Sequence, residues 1–187
     1  MVLSETISYG LLALLVLAVI ASIIFSNKIK RAYADWHLSR SVRKLGHAVM
    51  QNIILPDGMD GTVYIDSLIL LPDEILVASV ARYQGAVFAS ENIDIWTQVV
   101  GKRSYKFNNP LLKLEQEIAA VRAHIPDVKI TGVLIFPDGV NFPKGKPDNV
   151  ISVDEAKTRY GARDDQQVKT AYTEAWNKIK NRILSED

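Results

Sequence analysis

The chain has 187 residues, 48% hydrophobic and 23% charged, which suits a globular protein with room for one domain and its appendages. It has no cysteine, which excludes disulfides, thiolate metal sites and cysteine nucleophiles. A formal net charge of +1 excludes the global basic field that many nucleic-acid binders carry.

The first predicted element is a membrane span. Residues 7–25, ISYGLLALLVLAVIASIIF, run for 19 residues without a charge. At about 1.5 Å per residue they reach roughly 28 Å, the hydrocarbon thickness of a bilayer. A buried core helix of that length would show a polar stripe. A cleaved signal peptide would want a basic start and small residues at its end, whereas residues 1–6 hold no Lys or Arg and Lys28 and Lys30 follow the run. An uncleaved, single-pass anchor over residues 7–26 is therefore expected, with a short non-cytoplasmic N-terminus at 1–6. Beyond it, Lys28, Lys30, Arg31, Arg40, Arg43 and Lys44 face a single acid, Asp35. That asymmetry places the remainder in the cytoplasm, with the basic stretch 27–45 against anionic headgroups at about 1 kcal/mol per cation. The membrane bilayer is thus the first expected partner.

Residues 30–53 lack Pro and carry Trp36, Leu45, Val49 and Ile53 at approximate helical spacing, which predicts a helix that Pro56-Asp57-Gly58 ends. Four runs rich in Val, Ile and Tyr follow: Thr62–Leu71, Glu74–Arg82, Ala86–Ser90 and Ile93–Val100. Their short links at Pro72-Asp73 and Gln84-Gly85 imply an antiparallel meander. Asn109-Pro110 opens a helix, with Asn as cap and Pro in the first turn. Leu111, Leu114, Ile118, Val121 and Ile125 mark its buried face, and Pro126 stops it. Val128–Phe136 is a near-continuous apolar run, as in a strand buried on both faces. A Pro/Gly/Lys loop carrying Lys144 and Lys146 leads to a short strand at Val150–Val153. A last amphipathic helix, capped by Asp164 or Asp165, carries Val168, Ala171, Tyr172, Ala175, Trp176, Ile179 and Ile183 on one stripe. Helix, antiparallel strands, helix, buried strand and helix make an α/β sandwich with a mixed sheet and a C-terminal amphipathic helix.

Certain residues in this order carry a resemblance. Gly46-His47 precedes the strand Ile65-Asp66-Ser67-Leu68-Ile69. Next comes Val77-Ala78-Ser79-Val80-Ala81-Arg82-Tyr83-Gln84-Gly85, then Trp96, Asn109-Pro110 and Val133-Leu134-Ile135-Phe136. The set resembles the NERD family, the nuclease-related domain of the PD-(D/E)XK nuclease superfamily, over residues 46–153, with 154–187 as a C-terminal helical segment. The resemblance implies a restriction-endonuclease-like sandwich and metal-dependent phosphodiester cleavage by a helix Glu, a strand Asp, and the Glu and Lys of the next strand. The corresponding positions here are His47, Asp66, Ser79 and Ala81, and of the four only Asp66 is retained. The family also favours a Gln and a His on the helix after Asn-Pro, where this chain has Lys113 and Glu117.

The residue chemistry points the same way. Val77, Ser79 and Ala81 share one strand face, and none of them binds a metal ion strongly. Asp66 is either a remnant metal ligand or an Asp held by His47 or by a backbone N–H. His47 reads as structural, Trp96 and Trp176 as core, and Glu115 and Glu117 as a solvated face. Lys102, Arg103 and Lys106 form a basic cluster able to touch phosphate, or else an ordinary polar loop. The expected function is a membrane-anchored, cytoplasm-facing binding or scaffolding module without catalysis. Its partner would be nucleic acid, a protein or lipid headgroups, with no small-molecule substrate and no cofactor. An active nuclease with a rearranged Mg²⁺ or Mn²⁺ site using Asp66, His47 and a helix carboxylate is the enzymatic alternative. A membrane assembly factor that uses the fold only as a shape is the third.

Overall fold

The computed structural model describes residues 22, 25, 26, 29, 36, 38–161 and 166–183. The chain divides into two units, Met1–Arg40 and Ser41–Asp187. In the first unit the described residues are helical, Phe25, Ile29 and Trp36 are exposed, and the Arg40 guanidinium lies 5.4 Å from the Trp36 ring centroid. Of the expected span 7–26, all but Ser22, Phe25 and Ser26 lies outside the described residues. No described helix is long and apolar enough to cross a membrane. Lys28, Lys30 and Arg31 lie outside them too, as do Asp164 and Asp165.

The second unit is built on a five-stranded mixed sheet. Strands β1 (Ala48–Pro56), β2 (Thr62–Leu70) and β3 (Ile75–Val80) run antiparallel; β7 (Ile130–Phe136) joins β3 in parallel, and β8 (Val150–Ser152) joins β7 in parallel. A second, antiparallel sheet of β4 (Ala86–Phe88), β5 (Ile95–Val100) and β6 (Arg103–Asn108) is inserted after β3. Helices α1 (Pro110–His124), α2 (Val153–Tyr160) and α3 (Thr170–Lys180) complete the α/β fold.

Three expectations are corrected. The helix predicted through Ile53 ends by Val42, and Ala48–Pro56 is a strand. Apolar residues at Val49 and Ile53 suit either element; pairing with β2 decides it. Gly46 permits the close approach, since a Cβ there would meet the Leu70 carbonyl oxygen at 2.6 Å. The single meander is instead two. Gly85 makes the break, because its φ of +78° is left-handed and a Cβ would strike the Val99 carbonyl oxygen. Finally, the polar segment after Val100 is not a loop but strand β6, paired along its length with β5.

Helix α1 forms as its sequence dictates. The Asn109 side chain accepts from Leu111 N at 2.9 Å, and its Nδ2 donates to the Ile93 carbonyl at 3.0 Å, so one buried residue caps the helix and ties it to the β4–β5 connection. Helix α2, not read as an element of its own, falls almost wholly within the expected C-terminal helical segment 154–187 and starts with a capping box between Ser152 and Glu155. Helix α3 starts at Thr170 and buries Ala175, Trp176 and Ile179, three positions of its predicted stripe. The core under these elements includes Leu55, Ile65, Leu68, Val77, Trp96, Leu114, Val121, Leu134 and Phe136.

Candidate functional site

The β2–β3 ladder stops at Ser67 opposite Ala78. At the next position the Asp66 carboxylate replaces a backbone carbonyl: its Oδ2 accepts the Val80 N–H at 2.9 Å. The two strands open here, and helix α1 lays polar side chains into the gap. Ser79 Oγ donates to Glu117 Oε2 at 2.5 Å. Lys113 Nζ lies 3.3 Å from Asp66 Oδ1 and 3.0 Å from Glu117 Oε1. One ammonium therefore bridges a carboxylate from the sheet and a carboxylate from the helix.

Glu117 is fully buried, while Lys113 is half exposed and also lies 5.5 Å from the Tyr64 ring centroid. Among the described residues the Oε1 oxygen of Glu117 has the Lys113 ammonium, 3.0 Å away, as its compensating charge and no well-aligned donor besides. Burial pushes the Glu117 carboxyl above its ordinary range, against the lowering pull of the Ser79 hydroxyl and of Lys113. Burial pulls the Lys113 ammonium down, but Glu117 and Asp66 together outweigh it and hold the group above its ordinary value. Beside this cluster opens a cavity of about 360 Å³, lined by Asp66, Ser79, Ala81, Arg82, Tyr83 and Lys113 among others.

The structure thus brings Asp66 and Ser79 together and sets Ala81 in the cavity wall beside them. It leaves His47 apart. His47 is exposed, and its backbone N–H donates to Leu70 O at the C-terminal end of β2, beyond Asp66 at the strand's middle. It precedes β1 rather than riding on a helix. The solvated-face expectation fits Glu115, which is exposed, but not Glu117. Glu117 stands three residues after Leu114 and four before Val121, on the apolar stripe itself. That spacing was the available signal. The face of β3 that lacked charge in sequence borrows it from α1, which alternation along one strand cannot reveal.

The basic positions lie elsewhere. Arg40, Arg43 and Lys44 are exposed, and Arg43 Nε donates to Gln51 Oε1 at 2.6 Å. Lys102, Arg103 and Lys106 are exposed on the β5–β6 hairpin.

A family model described as nuclease-related domain (NERD) matches residues 28–137, more than half of the chain and all of β1–β7 and α1. The chain belongs to the nuclease-related domain family. No curated protein and no solved structure matches it.

For a member of a nuclease-related family, the fit of a divalent cation is the first question. The donor set present does not suit one. Among the described residues no three His, Cys, Asp or Glu side chains converge. Of the two carboxylates that do meet, Oδ2 of Asp66 and Oε2 of Glu117 are engaged by Val80 and Ser79, and the remaining oxygens face Lys113. A small hard cation wants several oxygens at about 2 Å. Here a fixed positive charge already occupies the position between them.

Proposed function

We propose that this nuclease-related domain serves as a binding or scaffolding module tethered to the cytoplasmic face of a membrane, and that it does not cleave phosphodiesters. One observation carries the reading: Lys113 stands between Asp66 and Glu117, in the place a divalent cation would take. The replacement of the family's strand Glu and Lys by Ser79 and Ala81 supports it, as does the uncharged run at residues 7–25 with its basic flank.

The enzymatic alternative draws on Glu117. This carboxylate is buried near Asp66, and its Oε1 is met by the Lys113 ammonium rather than by a neutral donor, as an oxygen left by a displaced metal would be. One experiment separates the two. Mn²⁺ is titrated calorimetrically into the full chain and into Asp66→Ala, and both are assayed on single- and double-stranded DNA. The expected result is no metal-binding heat and no cleavage. Mn²⁺ binding and nicking by the wild type, both lost in Asp66→Ala, would establish the active reading instead. The tether is tested separately: deleting residues 1–26 is expected to release the chain from the membrane fraction, and retention there would refute the anchor.

A further inference from the structure

Strand β7 has a neighbour along only part of its outer side. It pairs with β3 from Ile130 to Ile135, but β8 joins it only from Leu134 onward. A tight turn makes the gap: Val150 N–H donates to Pro147 O at 3.0 Å, so the chain turns into β8 instead of running alongside Gly132. Leu134 N–H donates outward to Asn149 O at 2.8 Å. Backbone direction alternates along a strand, so Gly132 also turns its N–H and C=O outward, where no described strand meets them.

A cavity of about 480 Å³ lies along this edge, within the size range of ligand sites. Its polar wall is divided. Glu74, which is 5% exposed, is satisfied from within: Lys129 Nζ lies 2.9 Å from its Oε2, and Thr131 Oγ1 donates to the same oxygen at 3.1 Å. Arg159 of α2 is different. Glu155, four residues earlier and at the favoured helical spacing, is taken by Lys146. No described carboxylate pairs with Arg159, whose guanidinium lies 5.5 Å from the Tyr160 ring centroid. Asn149 lines the same cavity, and its buried side-chain oxygen meets no donor among the described residues. An acceptor held out of water without a donor is costly, and an incoming N–H would relieve it.

We propose that this edge takes an extended peptide bearing a carboxylate, added as a short strand beside Ile130–Val133 with the carboxylate on Arg159. The inference rests on the binding-module reading above and names its partner. Outward N–H and C=O groups select a ligand with backbone groups of its own, because a second strand satisfies both at once. A guanidinium without a carboxylate selects one, which it can grip through two N–H groups. Glu74 and Asp148 offset Lys129 and Arg159 in number, so the cavity offers no field for a polyanion, and its concave wall admits no flat bilayer. The free edge is four residues long, about 13 Å, which sets the length of the added strand.

For the test, the full chain in detergent micelles is panned against random heptapeptides displayed with free C-termini, and against random heptapeptides held internally between fixed flanks. Enrichment from the first library alone assigns the terminal carboxylate. Enrichment from both, with Asp or Glu at one position, assigns an acidic side chain. The best binder is then synthesised and its affinity measured by fluorescence anisotropy. Arg159→Gln is expected to weaken it by about ten-fold, the worth of one charge-assisted hydrogen-bonded pair. Arg122→Gln, at an exposed cation outside the cavity, should leave it unchanged. Both side chains are exposed, so the variants keep the fold. N-methylation of alternate peptide residues should abolish binding in one phase and spare it in the other, because every second N–H of an added strand points at β7. No enrichment from either library, or a binder indifferent to Arg159→Gln or to the phase of N-methylation, would overturn the edge and leave a binding module elsewhere on the domain. Cleavage of DNA by the same preparation in Mn²⁺ would overturn the non-catalytic reading and leave the edge standing.

Discussion

Replacing Lys113 with Met is expected to destabilise the folded domain by about 2–4 kcal/mol near neutral pH, with little effect near pH 4. The variant removes the charge next to a fully buried carboxylate whose Oε1 has no well-aligned donor besides. Losing one partner of a buried pair typically costs about 3–5 kcal/mol; Lys113 is half exposed, so solvent screening brings the figure down. The pH dependence follows from the direction of the shifts. The Glu117 carboxyl is raised above its ordinary 4.5, chiefly by burial. A raised group contributes stability that is fully present below the unfolded value and is lost as pH rises through the folded value. Without Lys113 the folded value climbs further, so the loss on raising the pH is larger in the variant. The Lys113 ammonium is itself held above 10.5 and contributes only while protonated, so the difference between the two proteins closes again in strong alkali. Urea midpoints at a series of pH values measure this directly. A deficit that is the same at pH 4 and pH 8 would show that the ammonium does not compensate Glu117.

Trp96→Ala is expected to cost about 3–5 kcal/mol, a large share of the roughly 5–15 kcal/mol that holds a domain of this kind together. The indole is 1% exposed, its Nε1 donates to the Ser90 carbonyl at 2.9 Å, and it meets Phe107 edge-on with centroids 6.2 Å apart. It is the buried root of the second sheet, so its loss acts unevenly. Hydrogen exchange should show β4–β6 losing protection first while β1–β3 and β7, whose ladder does not depend on it, retain theirs. Trp96→Phe keeps the ring and loses the hydrogen bond, and should recover about half of the deficit. Uniform loss of protection across both sheets would mean that the second sheet is no separate cooperative unit.

Much of this was legible in the chain. Asn109 announced both the cap and the start of α1. The apolar run ending at Phe136 announced a buried strand, and the three- and four-residue spacing around Trp176 announced α3. These signals are local: capping, continuous burial and a helical stripe each act within a few residues of one another, so composition and spacing suffice. The family resemblance was legible for the same reason, as a fixed order of short motifs.

What the sequence could not decide was partnership. Val49 and Ile53 satisfy a helix or a strand equally, and only hydrogen bonding to β2, with Gly46 allowing the approach, made them β1. Residues 103–108 are too polar to read as a strand alone and become one because β5 offers a ladder. Ser79 and Ala81 looked inert along their own strand. The charge at that face arrives from Lys113 and Glu117, more than thirty residues later, because α1 crosses the sheet where β2 and β3 part. A sequence fixes which side chains exist and which face of an element each one occupies. Which elements meet, and therefore which charges must neutralise one another out of water, is decided only when the sheet and the helix pack.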